Sequence, residues 1–171
     1  LAHETSTAPE IWQQTGHDLD AIVVGVGSAG TLAGLTRFFQ RVQPKLEFVL
    51  ADPVGSVMAE YVRSGTLGEV GSWAVEGIGE DFVPSIADLS SVRHAYSISD
   101  EESFAHAREL LRAEGIPGGS STGTLLAAAL RYCREQTEPK RVLSFVCDTG
   151  TRHLSKVYND QWMTDQDLLQ R

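Results

Sequence analysis

A glycine-rich turn near the start of the chain has the composition of an anion-binding loop. Gly25, Gly27 and Gly30 form a GxGxxG pattern between a run of apolar, β-branched residues and a segment with helical spacing. Glycines let the backbone come close to an anion, and the free N–H groups and dipole of a helix N-terminus attract negative charge. The turn therefore predicts a site for a phosphate group.

From the pattern alone, two kinds of phosphate ligand fit this turn. Asp52 ends the next predicted strand, 22 positions after Gly30, as the ribose-binding acid does in the dinucleotide fingerprint. Ser28 and Thr31 instead add hydroxyl donors, which suit a compact monoester phosphate. A tight structural turn without a ligand is the third alternative, so the pattern by itself leaves the choice open.

A second turn of small residues, GGSSTG at positions 118–123, stands just before a predicted helix. Small residues permit the close approach of a flat ring, and a hydroxyl at the start of a helix can reach one ring atom. An ordinary helix cap by Ser120, Ser121 or Thr122 explains the same residues. This turn becomes informative only in combination with the first one.

The elements around the first turn predict an α/β fold. Residues 20–25 and 46–50 are apolar runs without alternation, typical of strands buried on both faces. Between them, residues 30–42 have helical spacing, and a right-handed strand–helix–strand crossover produces a parallel sheet. We therefore expect a parallel, three-layer sheet with helices on both faces. Thr7 is predicted to cap a short helix over residues 10–15.

Further elements are predicted along the rest of the chain. Ser99 and Glu102 form a capping box for a helix that ends at Gly115. The other expected elements are short helices mixed with loops over residues 55–88, strands at 94–98 and 142–147, a helix from within 119–122 through Cys133, and a tail of short helices.

Together these segments resemble the fold-type II pyridoxal-phosphate enzymes, and most closely the family of cystathionine β-synthase and cysteine synthase. VGVGSAGT at residues 24–31 resembles the family's phosphate loop, and GGS at 118–120 resembles the turn whose serine meets the pyridine nitrogen. Further matches are TAPEI at 7–11, ADPVGS at 51–56, VEGIG at 75–79 and CDTG at 147–150. The resemblance identifies residues 1–171 as the C-terminal portion of the catalytic region.

The resemblance implies pyridoxal 5'-phosphate as the cofactor and assigns roles to nine residues. Those expected to bind the cofactor are Gly27, Ser28, Ala29, Gly30 and Thr31 at the phosphate and Ser120 at the ring, and those on the substrate side are Gly77, Ile78 and Gly79. Two departures are local. Ala29 replaces a glycine that is usual in the loop, and Glu80 stands where some relatives have tyrosine, so the substrate detail stays open.

In the family, the Schiff-base lysine belongs to an earlier segment that these 171 residues do not contain. Lys45, Lys140 and Lys156 lie outside the matching motif, so none of them is expected to take that role. The resemblance therefore implies no catalytic residue in this chain, which we expect to be inactive alone and to require the remainder of its catalytic region.

The reaction implied by the resemblance is β-replacement, in which serine or an activated serine loses its β-substituent and accepts a thiol. Homocysteine as the thiol gives cystathionine, and sulfide with O-acetylserine gives cysteine. A dinucleotide-binding domain of an oxidoreductase is the alternative from another enzyme class, and an inactive anion-binding module is a third. The resemblance also implies a homodimer.

Composition excludes several partners. Acidic residues outnumber basic ones by 23 to 14, and the net charge of -9 disfavours nucleic acid and anionic membranes. We find no apolar run of about 20 residues and no signal-peptide pattern in residues 1–16, so a cytoplasmic protein is expected. The five histidines lack metal-ligand spacing, and we predict no metal site. Cys133 and Cys147 are expected to be reduced.

Overall fold

The computed structural model describes residues 1–169, which form one four-stranded sheet with order β3-β2-β1-β4. Its strands are β1 (Ala21–Val24), β2 (Glu47–Pro53), β3 (Val92–Ile98) and β4 (Val142–Leu143). All three strand pairs are parallel. The predicted parallel sheet is therefore confirmed.

Helices connect the strands and continue after them. They are α1 (Ala8–Gln14), α2 (Gly30–Val42), α3 (Met58–Ser64), α4 (Asp100–Glu114), α5 (Ser120–Glu135) and α6 (Asp160–Asp165). A π-helical turn, His3–Thr7, leads into α1, and a 3-10 turn, Gly150–His153, follows β4. No helix within residues 1–169 is both long and apolar enough to cross a membrane.

Helices cover both faces of the sheet. Alternate side chains of each strand point to opposite sides, so each strand contributes residues to a core on either face. On one face, Ile22 and Val24 pack in a core with residues of α1 and α2. On the other face, Ala21 and Val23 pack in a core with residues of α5. The three-layer arrangement is thus confirmed. A smaller core joins α4 to the tail through Phe104, Ala107, Val157, Met163 and Leu168.

Tertiary contacts change three local predictions. Thr7 has helical backbone angles and makes no side-chain cap, because the π-helical turn from His3 continues directly into α1. Strand β2 runs on through Pro53, since β3 pairs with it as far as that residue. The β4 ladder ends at Leu143, and beyond it the N–H of Cys147 donates to Oγ1 of Thr122 at 3.1 Å.

The ends of α4 follow their sequence signals closely. The hydroxyl oxygen of Ser99 accepts a hydrogen bond from the N–H of Glu102 at 3.2 Å, and Gly115 ends the helix in a left-handed conformation. The capping box is only half formed, because the Glu102 carboxylate pairs with Arg131 at 2.7 Å. This ion pair ties α4 to α5, the helix that carries the second small-residue turn.

Candidate functional site

A cleft of about 330 Å³ opens at the carboxyl end of β1, where the glycine-rich turn leads into α2. Parallel sheets commonly bind ligands at this edge, outside the carboxyl ends of their strands. The cleft brings together seven of the nine predicted site residues: Gly27, Ser28, Ala29, Gly30, Thr31, Gly77 and Ile78. Two segments that are distant in the sequence therefore form one site.

The turn after β1 is sharp because Ala29 adopts the left-handed conformation, with φ of 64°. Its carbonyl oxygen accepts the N–H of Ala33 at 2.9 Å, so α2 begins at Gly30. The first N–H groups of an α-helix have no partner inside the helix and point out of its end. These groups border the cleft beside the hydroxyl of Thr31, as an anion-binding turn requires.

Glycines also let the second wall of the cleft lie directly on this turn. A Cβ at Gly27 would stand 2.9 Å from the carbonyl oxygen of Gly77, and a Cβ at Gly25 would stand 2.6 Å from Ile78. The N–H of Gly79 donates to the carbonyl of Val26 at 2.8 Å. The backbone at residues 77–79 is therefore held against the turn by contacts that larger residues would prevent.

Gly79 and Ser120 lie outside the lining of the cleft. Gly79 packs so tightly that a Cβ would meet Pro53 and Trp73 at 2.6 and 2.8 Å. Ser120 is buried at the first turn of α5, and its hydroxyl oxygen accepts the N–H of Glu76 at 3.0 Å. Ser120 thus holds the backbone at Glu76, directly before the wall at residues 77–79. Its contact with a cofactor stays a prediction.

A charged cluster lies close to Gly119, the residue before Ser120. Nε2 of the buried His153 is 2.6 Å from a carboxylate oxygen of Asp148, and Lys156 forms an ion pair with Glu76. A Cβ at Gly119 would stand only 2.0 Å from Asp148, so this glycine is required by packing. The ammonium group of Lys156 is committed to this pair, and no lysine within residues 1–169 lines the cleft.

Asp52, the acid of the dinucleotide fingerprint, has a structural position. Its side chain is fully buried, and one carboxylate oxygen accepts the N–H of Ala59 in α3 at 2.8 Å. Burial raises the pKa of this carboxyl group. Because Asp52 anchors the start of α3 inside the protein, it is not presented to a ribose hydroxyl, which argues against dinucleotide binding.

Three polar residues that line the cleft were not among the nine predicted site residues. His3 and Thr7 reach it from the π-helical turn, and Cys147 reaches it from the segment after β4, where desolvation raises the pKa of its thiol. The sequence offers one signal for the first pair: His3 and Thr7 are four positions apart, which places them on one side of a helical turn. As an isolated histidine, His3 shows no ligand spacing.

The lining of the cleft suits a phosphate monoester attached to a flat ring. The N-terminal end of α2 and the hydroxyls of Ser28 and Thr31 supply donors for the phosphate. A larger side chain at Gly27 would intrude where the two walls meet. Apolar walls come from Leu125 and Phe145. The residues present therefore fit pyridoxal phosphate, the cofactor that the sequence motifs indicate.

Comparisons with known proteins agree with this fit. A family model described as "Pyridoxal-phosphate dependent enzyme" matches residues 1–148. The chain is 36% identical over 170 residues to a cystathionine β-synthase of Apis mellifera, covering 99% of the chain and 33% of that protein. It is 32% identical to cysteine synthase 2 of Schizosaccharomyces pombe, covering 98% of the chain and 46% of that protein.

A solved structure shows the same fold. The O-acetylserine dependent cystathionine β-synthase of Helicobacter pylori superposes with a TM-score of 0.83 at 34% identity, covering 92% of this chain and 50% of that one. The chain thus spans between a third and a half of the length of these relatives. The matched segment, the parallel fold and the glycine-rich turn after β1 all agree with these relatives. The chain therefore belongs to the family of pyridoxal-phosphate-dependent enzymes that includes the cystathionine β-synthases and cysteine synthases.

Proposed function

We propose that this chain is the C-terminal portion of the catalytic region of a cystathionine β-synthase, which condenses serine with homocysteine. One observation carries the proposal: a single cleft joins the phosphate turn, residues 27–31, to the backbone wall at Gly77 and Ile78. Residues 27–31 would hold the phosphate of the cofactor, and Gly77 and Ile78 would line the space beside its ring and the substrate. The activity belongs to the whole protein, of which this chain forms a part.

In this proposal the chain's residues bind and orient, while the cofactor, when bound, supplies the electron sink for loss of the β-substituent. The α2 N-terminus and Thr31 hold the phosphate, and Gly77 and Ile78 limit the space beside the substrate. Ser120, which lies outside the lining of the cleft, is the neutral hydroxyl that the resemblance assigns to the ring nitrogen. The lysine that holds the cofactor covalently comes from outside these 171 residues, which fits the positions of Lys45, Lys140 and Lys156 away from the cleft.

The cysteine synthase reaction, with sulfide as the thiol, is the second candidate, and Glu80 separates the two. Its carboxylate lies 3.8 Å from the point that a Cβ at Gly27 would occupy, at the side of the phosphate turn. Hydrosulfide is an anion, which a carboxylate repels, whereas homocysteine is a zwitterion without net charge, whose ammonium group can face a carboxylate. Glu80 therefore favours homocysteine.

Two assays on the full-length protein test the choice. Cystathionine formation from serine and homocysteine should exceed cysteine formation from O-acetylserine and sulfide. Glu80→Gln should change this ratio in favour of sulfide, while Glu69→Gln, at an exposed position on a neighbouring loop, should leave it unchanged. Preferential use of sulfide by the wild type, with no effect of Glu80→Gln, would assign the protein to the cysteine synthases instead.

We also propose that the full-length protein is a homodimer, as the resemblance implies, and that it is cytoplasmic, as expected from the sequence. Sedimentation of the holoenzyme at micromolar concentration measures the assembly directly. A monomer under these conditions would contradict the proposal.

A further inference from the structure

A π-helical turn places two polar side chains beside the phosphate turn. Nε2 of His3 lies 3.4 Å from the hydroxyl oxygen of Thr31, and Nδ1 of His3 lies 3.1 Å from the hydroxyl oxygen of Thr7. All three residues line the cleft. We propose that His3 and Thr7 are positioning residues of the phosphate site, which fix the direction of the Thr31 hydroxyl; this inference rests on the proposed function.

The position of His3 is determined by packing between the π-helical turn and α2. A Cβ at Gly34 would stand 2.6 Å from the Cβ of His3, so the two helices can meet only because residue 34 has no side chain. On the outer side, Arg41 of α2 pairs with Glu4 at 2.8 Å. The imidazole ring is thus held against the first turn of α2, and π-helical segments are frequent at functional sites.

Neutral His3 can connect the two hydroxyls in either of two tautomers, and one of them leaves a proton for the ligand. A neutral imidazole has one donor and one acceptor nitrogen, and a hydroxyl has a single proton to donate. If Thr7 donates to Nδ1, then Nε2 carries the proton and donates to the oxygen of Thr31. The proton of Thr31 is then left to donate into the cleft. The positioning role requires this tautomer, in which the chain from Thr7 through His3 to Thr31 ends in a donor aimed at an anion.

This orientation matters because an unconstrained hydroxyl can turn its lone pairs toward the ligand instead of its proton. A phosphate monoester offers only acceptors once it is ionised, so a hydroxyl fixed as a donor stabilises it in every configuration. Within residues 1–169, the cleft is lined by no lysine or arginine, and its other donors are backbone N–H groups and the Ser28 hydroxyl. Among the donors that these residues supply, one oriented hydroxyl is therefore a substantial share.

Variants of the full-length protein separate this role from general stability. Thr7→Val removes only the first hydroxyl, and His3→Leu removes the relay. His3→Gln keeps an amide that can still donate to Thr31. Thr5→Val is the matched control, because the exposed Thr5 hydroxyl lies in the same π-helical turn but bonds to the carbonyl of Leu1.

The probes are pyridoxal 5'-phosphate and pyridoxal, which lacks the phosphate, each added to apoprotein in equilibrium dialysis. Thr7→Val and His3→Leu should bind the phosphorylated cofactor about tenfold more weakly and bind pyridoxal as the wild type does. His3→Gln should recover part of the loss, and Thr5→Val should lose nothing. The phosphorus-31 resonance of the bound cofactor should move in Thr7→Val and not in Thr5→Val.

Other outcomes of these binding measurements would contradict the proposal. Equal losses for both probes, or no loss and no shift of the phosphorus resonance, would overturn the positioning role of His3 and Thr7. If His3→Leu does not fold, the milder Thr7→Val variant decides by the same criteria. If the wild type itself binds the two probes equally, the phosphate site is absent and the proposed function fails, which is a separate outcome.

Discussion

Replacing Gly123 with alanine should destabilise the protein even though alanine is the better helix former. Gly123 lies in α5 where that helix crosses α4. An added Cβ would stand 1.8 Å from the carbonyl oxygen of Ser103 and 2.7 Å from the backbone nitrogen of Ala107. Both are backbone atoms of a helix and cannot rotate away. Since carbon–oxygen contacts need about 3.3 Å, α4 would have to move by about 1.5 Å.

The size of the effect follows from two opposed contributions. Alanine in place of glycine stabilises a helix interior by about 1 kcal/mol. Overpacking a close interface typically costs about 1–3 kcal/mol and sometimes more, and this contact is severe. Moving α4 would also stretch the buried hydrogen bond of 2.8 Å between the hydroxyls of Thr124 and Ser103. We expect a net loss of about 2 kcal/mol.

Urea unfolding of the full-length protein, followed by circular dichroism, measures this loss as a lower midpoint. Ala113→Gly is the matched control, because Ala113 is exposed in α4 and should report the loss of helix propensity alone, about 1 kcal/mol. Helix propensity by itself predicts that Gly123→Ala raises the midpoint. A midpoint equal to or above that of the wild type would therefore refute the close contact between α4 and α5.

Three other changes test the site and its surroundings. Ala29→Gly should raise the urea midpoint by an amount equivalent to about 1 kcal/mol, because it relieves a left-handed backbone of φ 64°; an unchanged or lower midpoint would contradict this. Burial raises the pKa of Asp52 above its usual value of 3.8. The protonated carboxyl group therefore makes its full contribution to the free energy of unfolding below pH 3.8, and this contribution is lost as the pH rises through the folded-state pKa. Asp52→Asn should therefore flatten the pH dependence of the urea midpoint above pH 3.8, and an unaltered profile would count against the buried carboxyl. Both cysteines are exposed, but desolvation raises the pKa of the Cys147 thiol, so iodoacetamide at neutral pH should label Cys147 more slowly than Cys133, and added pyridoxal phosphate should slow it further. Equal labelling rates, measured by mass spectrometry, would place Cys147 outside the cleft.

The sequence predicted the sheet well because buried parallel strands and their crossover helices have local signatures. The apolar runs at 20–25 and 46–50 correspond to β1 and β2, and the helix predicted at residues 30–42 is α2 with the same bounds. Strand ends were less predictable. The final strand was expected through residue 147 but ends at Leu143, although β1 continues to Val24, and the N–H of Cys147 bonds to Thr122 instead of to β1.

The candidate site was also predictable only in part. The phosphate turn could be predicted because glycines, hydroxyls and a helix start are adjacent in the sequence. The positions of Gly79, Ser120 and His3 depend on contacts between distant segments, such as the bond from Glu76 to Ser120. No local pattern encodes those contacts. Asp52 shows the same limit. The sequence pattern allows it to be a ribose ligand, and only its hydrogen bond with Ala59 of α3 shows that it is a buried anchor.

The bond from Glu76 to Ser120 also bears on the chemistry proposed for the site. Because the N–H of Glu76 occupies a lone pair of the Ser120 hydroxyl, the proton of that hydroxyl remains to be donated elsewhere. A pyridine nitrogen without a proton is an acceptor, and a serine fixed as a donor matches it. A carboxylate at this position would instead favour the protonated ring and increase its electron demand. A neutral donor suits loss of a β-substituent, and the proposed role therefore requires the Ser120 proton to reach the ring nitrogen from outside the lining of the cleft.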